Sequence, residues 1–204
     1  MAHAQFQPTM QDRHPWVQVV LGKAQSGKTT YMNLVLQLWR RQVKGLSLAI
    51  DRNCTDPPQW KHLARWSNAW TADVPATLDK AVTLLACDEA AAYLGAGGIR
   101  GKFPVLEAAV FRGQHTGRWG LSCLLGTQRA KHIHPDVWSQ AKRVVCFRTI
   151  DANDLQRIQD LAGMTDLALR MIPRLPPGYA VVWDERDGLF YPYVPEWWTA
   201  AART

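Results

Sequence analysis

The chain has 204 residues, enough to bury a substantial core, and 24 Lys+Arg against 17 Asp+Glu give a net charge of +7 that favours a polyanionic partner. No run of about 18 uncharged apolar residues is present, which excludes a membrane-spanning helix. The polar, His/Gln-rich stretch 1–15 lacks the apolar centre of a signal peptide and reads as a flexible arm ahead of a single domain over 16–204.

The first element is the apolar run Trp16-Val17-Gln18-Val19-Val20-Leu21, a strand. Gly22-Lys23-Ala24-Gln25-Ser26-Gly27-Lys28-Thr29 follows it and fits GxxxxGK[ST] at every fixed position. Strand, glycine-rich turn and helix start, in that order, are the setting of a phosphate-binding loop. The glycines let successive backbone N–H groups curl around a phosphate, and the helix N-terminus adds positive potential. Gly22 to Thr30 then form the ATP cradle: Lys28 reaches the β and γ phosphates, and Thr29 holds Mg²⁺. A chance glycine loop is the alternative, and the flanking strand argues against it.

The helix from Lys28 runs to about Val43 with Met32, Val35, Leu36 and Trp39 on its apolar face, and Gly45 ends it. Leu46–Ile50 is a strand closing on Asp51. After the Pro57-Pro58 break, Trp60–Trp66 and Ala76–Ala81 read as short helices. Val82–Cys87 is a buried strand, Gly95–Gly101 a loop and Pro104–His115 a helix. Leu121–Gly126 and Val144–Phe147 are strands, and Asp151–Gly163 is a helix capped by Asp151. Tyr179–Trp183 and Leu189–Tyr193 flank Asp184-Glu185-Arg186-Asp187-Gly188 as a β-hairpin. Apolar strands alternating with helices predict an α/β fold, its sheet mostly parallel and covered on both faces.

Arg40-Arg41 and Lys142-Arg143 read as solvated charges at helix ends. Of the four cysteines, Cys54, Cys87, Cys123 and Cys146, three lie in apolar runs; they read as buried thiols of a reducing compartment, not as a disulfide frame or zinc site. The ten tryptophans read chiefly as core and subunit contacts.

A second acidic centre selects the chemistry. Leu84-Leu85-Ala86-Cys87 ends in Asp88-Glu89. An acid at the end of a buried strand near a phosphate loop is placed for the metal, so Asp88 is assigned to Mg²⁺. Glu89, one residue on and pointing elsewhere, is placed to polarise a water against the γ-phosphate. Two solvated carboxylates at a strand end are the alternative. Downstream, Leu121–Gly126 leads into Thr127-Gln128-Arg129, where Gln128 is placed to sense the γ-phosphate or orient the attacking water.

The set Gly22–Thr29, Asp88-Glu89 and Gly126-Thr127-Gln128-Arg129 resembles the FtsK–HerA superfamily of DNA-pumping P-loop ATPases. It is most similar to the compact genome-packaging ATPases of membrane-containing icosahedral viruses and phages. The helix Val105–His115, then Gly117-Arg118-Trp119-Gly120 and the "GTQR" strand, follow that family's order, as do Val144–Thr149 with Asp151 and Asp154 and the late hairpin after Pro177-Gly178. Ala130 stands where cellular translocases usually carry proline, which favours the viral branch.

The resemblance implies an additional-strand RecA-like core in a pentameric or hexameric ring around double-stranded DNA. Its sites would be completed by a neighbour's arginine, Arg112 or Arg118, with Arg148 a third candidate and a solvated surface arginine the alternative for each. It further implies an ATPase of the host cytoplasm or packaging vertex, with a capsid vertex or portal protein as partner. The loop 95–102 reads either as a plain surface loop or as a pore lining whose Arg100 and Lys102 touch DNA phosphates. Two rival functions stand beside it. A nucleotide kinase needs an acceptor pocket and an Arg-rich lid. A filament-extrusion ATPase works at a membrane, and no membrane segment is present.

Overall fold

The computed structural model describes residues 16–43, 46–51, 64–67, 82–95, 110–111, 121–186 and 189–193. The strand ahead of the glycine loop, β1 (Val17–Leu21), is buried at every position, as is β5 (Ser122–Thr127). Strands without a solvated face belong at the centre of a sheet covered on both sides. Around them lie β2 (Leu46–Asp51), β3 (Arg65–Ser67), β4 (Val82–Asp88), β6 (Ala141–Phe147), β7 (Ala180–Asp184) and β8 (Leu189–Tyr193). The eight-stranded sheet runs β3-β2-β4-β5-β1-β6-β7-β8. Pairing is parallel from β3 through β6, and β7 and β8 add antiparallel strands at one edge. Pro192, which has no N–H to donate, falls on the last of these, where an edge strand tolerates it.

Alternate residues of the central strands enter two cores. Val17, Val19, Leu85, Cys87, Leu125 and Cys146 face one. Val20, Leu84, Ala86, Leu124 and Val145 face the other. Helix α1 (Lys28–Gln42) covers the second core with Met32, Val35, Leu36 and Trp39, as its periodicity predicts. The first is covered by α2 (Pro135–Trp138), α3 (Ala152–Ala162) and α4 (Asp166–Met171), through Val137, Trp138, Ile158 and Ala168. Asp151 caps α3 by accepting from the Asn153 and Asp154 amides, and Gly163 ends it in the left-handed conformation. The thiols of Cys87, Cys123 and Cys146 are free and buried; burial alone pushes Cys123 up to about 12.

Three expectations change. Arg65 and Trp66, read as the end of the helix Trp60–Trp66, form with Ser67 the strand β3, which pairs in parallel with β2; residues 60–63 lie outside the described set. Strand β6 begins at Ala141 instead of Val144, which puts Lys142 and Arg143 on a strand and not at a helix end. Arg143 is buried there, where its Nε and Nη2 donate to Asp184 Oδ2 at 2.9 and 2.7 Å. The third change is omission: α2 and α4 were not anticipated. Of the helix read over Pro104–His115, only Val110 and Phe111 are described, and both are helical. The arm 1–15, the helix over Ala76–Ala81, and Arg100, Lys102, Arg112 and Arg118 lie outside the described residues.

β5 stands between β1, which carries the glycine loop, and β4, which carries the acids. This is the additional-strand arrangement, and parallel pairing brings Leu21, Asp51, Asp88, Thr127 and Phe147 to one edge of the sheet. The carboxyl edge of a parallel sheet is where ligands bind in α/β folds.

Candidate active site

The glycine loop is stitched to three neighbouring segments. The Gly22 amide donates to the Thr127 carbonyl (3.2 Å), the Lys23 amide to the Arg148 carbonyl (3.0 Å), and the Gly178 amide to the Ser26 carbonyl (2.8 Å). Gly27 holds φ +111°, and a side chain there would meet Gly178 Cα at 2.9 Å and the Phe147 ring at 3.1 Å. Glycine is needed at Gly27 on both counts. Phe147 forms the loop's floor and meets Tyr31 of α1 edge-on. Lys23, Ala24, Gln25 and Thr30 are exposed, whereas Ser26 and Lys28 are buried.

Several features suit a phosphate. Gly27 caps α1 with no side-chain bond, and the helix has no acid in its first turn, so its first amides meet no carboxylate of their own turn. Ser26 Oγ is buried without a hydrogen-bond partner among the described residues. Lys28 Nζ donates across the loop to the Lys23 carbonyl at 3.1 Å. Burial lowers the Lys28 pKa, and the charges of Asp88 and Glu89 offset that only in part.

Asp88 has both carboxylate oxygens fixed: Oδ2 accepts from Thr29 Oγ1 at 3.0 Å and Oδ1 from the Glu89 amide at 3.0 Å. Burial raises its pKa, and the Thr29 hydrogen bond opposes that. Gly126 makes room for this carboxylate, since a Cβ there would stand 2.7 Å from Asp88 Oδ1 and 2.8 Å from Met32 Sδ. A hydroxyl and a carboxylate in contact fit Mg²⁺, which takes one or two protein oxygens and fills its octahedron with phosphate and water. Among the described residues no group of three or more His, Cys, Asp or Glu is arranged to hold a metal.

Glu89 takes a left-handed backbone, φ +53°, uncommon for a residue with a side chain. The turn aims Glu89 away from Asp88 and towards β5, where Gln128 Nε2 donates to its Oε1. Acid and amide are therefore joined by a hydrogen bond. Arg129 has a different task. It pairs with Asp151 and, through Nε at 2.8 Å, with the buried Asp154, holding the β5 turn onto the start of α3. Arg148 lies beside its own loop, through its carbonyl.

Two features escaped the sequence reading. Asp51 ends β2 in register with Asp88 and is equally buried; an acid closing a buried apolar strand was the available signal. The contact of Gly178 with the loop spans about 150 residues of chain and leaves no local trace.

No family model matches the sequence, and no curated protein matches it. Solved structures do. The genome packaging NTPase B204 from Sulfolobus turreted icosahedral virus 2, in complex with ATP-gammaS, is 19% identical, with 88% of this chain and 97% of that one covered at a TM-score of 0.72. Its complex with AMP gives 18% identity, coverages of 89% and 98%, and the same TM-score of 0.72. The pCW3 conjugation coupling protein TcpA, in its monomer form with ATPgS, gives 13% identity and a TM-score of 0.64, covering 89% of this chain and 60% of that one. Strand order, glycine loop and these likenesses agree that the chain has the additional-strand RecA-like fold of P-loop NTPases, which it shares with a viral genome packaging NTPase.

Proposed function

We propose that the chain is an Mg²⁺-dependent ATPase of the FtsK–HerA type that drives double-stranded DNA through a ring of its own subunits, packaging a viral genome. The observation that carries this reading is the Glu89–Gln128 pair beside the Thr29–Asp88 pair at the mouth of the loop. A kinase has no use for an activated water next to the γ-phosphate; a motor ATPase does. The structural likeness to a packaging NTPase and to a conjugation coupling protein supports the DNA-handling half of the proposal.

The chain's own residues divide the work. Backbone amides of 22–30 wrap the β-phosphate while Lys28 lies against the β and γ oxygens. Thr29 and Asp88 hold Mg²⁺, which when bound neutralises phosphate charge. Glu89 takes a proton from the attacking water, and Gln128 fixes the Glu89 carboxylate and senses whether the γ-phosphate is present. The role of a neighbour's arginine falls to Arg112 or Arg118, with Arg148 a third candidate. Arg100 and Lys102 meet the DNA backbone without reading sequence. The partners of this proposal are duplex DNA of any sequence, further copies of the chain in a pentameric or hexameric ring, and a capsid vertex or portal protein. Its place is the host cytoplasm or the packaging vertex. Among the described residues no helix is long and apolar enough to cross a membrane.

The test is the ATP hydrolysis rate with and without linear duplex DNA, with particle mass measured in parallel. The proposal expects several-fold stimulation by DNA of any sequence and a mass of several 23.0 kDa chains. Hydrolysis indifferent to DNA would overturn it.

A further inference from the structure

Asp51 closes β2 directly opposite Asp88, with the two Cα atoms in register. Side chains opposite one another on paired strands emerge on the same side, and the side alternates along the strand. The preceding pair, Ile50 and Cys87, enters the core away from α1, and the pair before that, Ala49 and Ala86, enters the core under α1. Asp51 and Asp88 therefore both emerge on the α1 side, where Thr29 reaches Asp88. Both are buried, at 8% and 7% exposure.

Like charges side by side in a buried place repel each other. The sequence Leu46-Ser47-Leu48-Ala49-Ile50 ahead of Asp51 is otherwise that of a buried strand, in which an aspartate brings no packing advantage. With Asp88 and Glu89 beside Lys28, a third carboxylate makes this edge more hostile to the negative charge of a free nucleotide. It makes the edge more welcoming to a divalent cation.

We infer that Asp51 is a positioning residue for the metal: beside Asp88 it accepts hydrogen bonds from the water shell of Mg²⁺, and it makes metal-bound nucleotide strongly preferred over free nucleotide. This rests on the nucleotide-site reading above and deepens it. Thr29 and Asp88 would hold the cation, and Asp51, beside Asp88, would accept from its bound water.

The test is equilibrium binding of a fluorescent ATP analogue to the full chain, read without hydrolysis, in EDTA and across a Mg²⁺ titration. Asp51→Asn is expected to bind the analogue in EDTA at least as tightly as wild type, because a repelling charge is gone. The Mg²⁺ concentration giving half the metal-dependent gain is expected to rise about 10-fold or more, the usual effect of losing an outer-shell carboxylate. A purely structural role would lower thermal stability and leave the Mg²⁺ midpoint in place; that result overturns the inference. So does a uniform gain in affinity with and without metal, since Asp51 would then only repel phosphate. Should Asp51→Asn fail to fold by circular dichroism, Asp51→Glu takes its place, keeping the charge but displacing it. It must also raise the Mg²⁺ midpoint, and an unchanged midpoint overturns the inference. Wild-type chain binding no analogue under any condition overturns the nucleotide-site reading, and this one with it.

Discussion

At Glu89 the backbone strain and the side-chain bond carry one message. A left-handed φ on a glutamate is held only where its surroundings insist, and here the Asp88 carboxylate and Gln128 do so. Glu89→Gln is expected to retain nucleotide binding, since Thr29, Asp88 and Lys28 are untouched, and to lose about 10²–10⁴-fold in turnover, the usual worth of a general base. Rates and nucleotide affinity measured on the same preparation check this; normal turnover alongside an inactive Asp88→Asn would reassign the base. Gly126→Ala is expected to destabilise by about 1–3 kcal/mol through overpacking, because its Cβ meets a carboxylate on one side and Met32 on the other. Thermal or denaturant unfolding reads that cost directly. At this scale the glycine loop, Asp88, Glu89 and Gln128 were legible because each lies within a few residues of a strand end. Asp51 carried the same signal and was passed over because no motif includes it.

Among the elements, the antiparallel edge explains the clearest misreading. Lys142-Arg143 resembles a charged helix end, yet Arg143 is an interior strand residue neutralised by Asp184 from β7, 41 positions away. Nothing local reports such a partner. β3 was missed for a related reason: the stretch around Arg65 contains good helix formers, and pairing with β2 overrides that propensity. By contrast α1 and α3 follow their apolar periodicity to within a residue, and Asp151 and Gly163 cap α3 as read; Gly45, read as the end of α1, lies outside the described residues.

Asp184 gives this element a pH signature. Burial alone would raise its pKa, but hydrogen bonds from Arg186 and Arg143, with the charge of Arg143, outweigh that and hold it at about 2. Its unfolded value is about 3.9. The stabilisation is therefore complete above about pH 4 and lost as pH falls through about 2. Asp184→Asn is expected to cost about 3 kcal/mol at neutral pH, because Arg143 is left buried without its counter-charge. Its stability should also fall less steeply than that of wild type between those pH values, as urea unfolding at a series of pH values will show.

For the whole molecule, the central question is whether the active site is shared between subunits. If Arg112 or Arg118 acts across a boundary, its Ala variant should bind ATP yet hydrolyse it poorly. Mixing it with Lys28→Ala, which lacks the loop's buried cation, should then restore part of the rate, since a mixed ring can place an intact loop beside an intact arginine. Titrating one inactive protein against the other, with subunit exchange verified, checks this; no recovery at any ratio for either arginine removes the trans finger from these positions. The fold likeness to a packaging NTPase covers 89% of this chain.

Translocation itself is the claim to be tested most directly, by displacement of a triplex-forming strand from linear duplex DNA. The account predicts ATP- and Mg²⁺-dependent displacement by the wild-type chain, whatever the DNA sequence, and none by Glu89→Gln. Retention of the third strand by a wild-type protein that is hydrolysing ATP on that same DNA would contradict it.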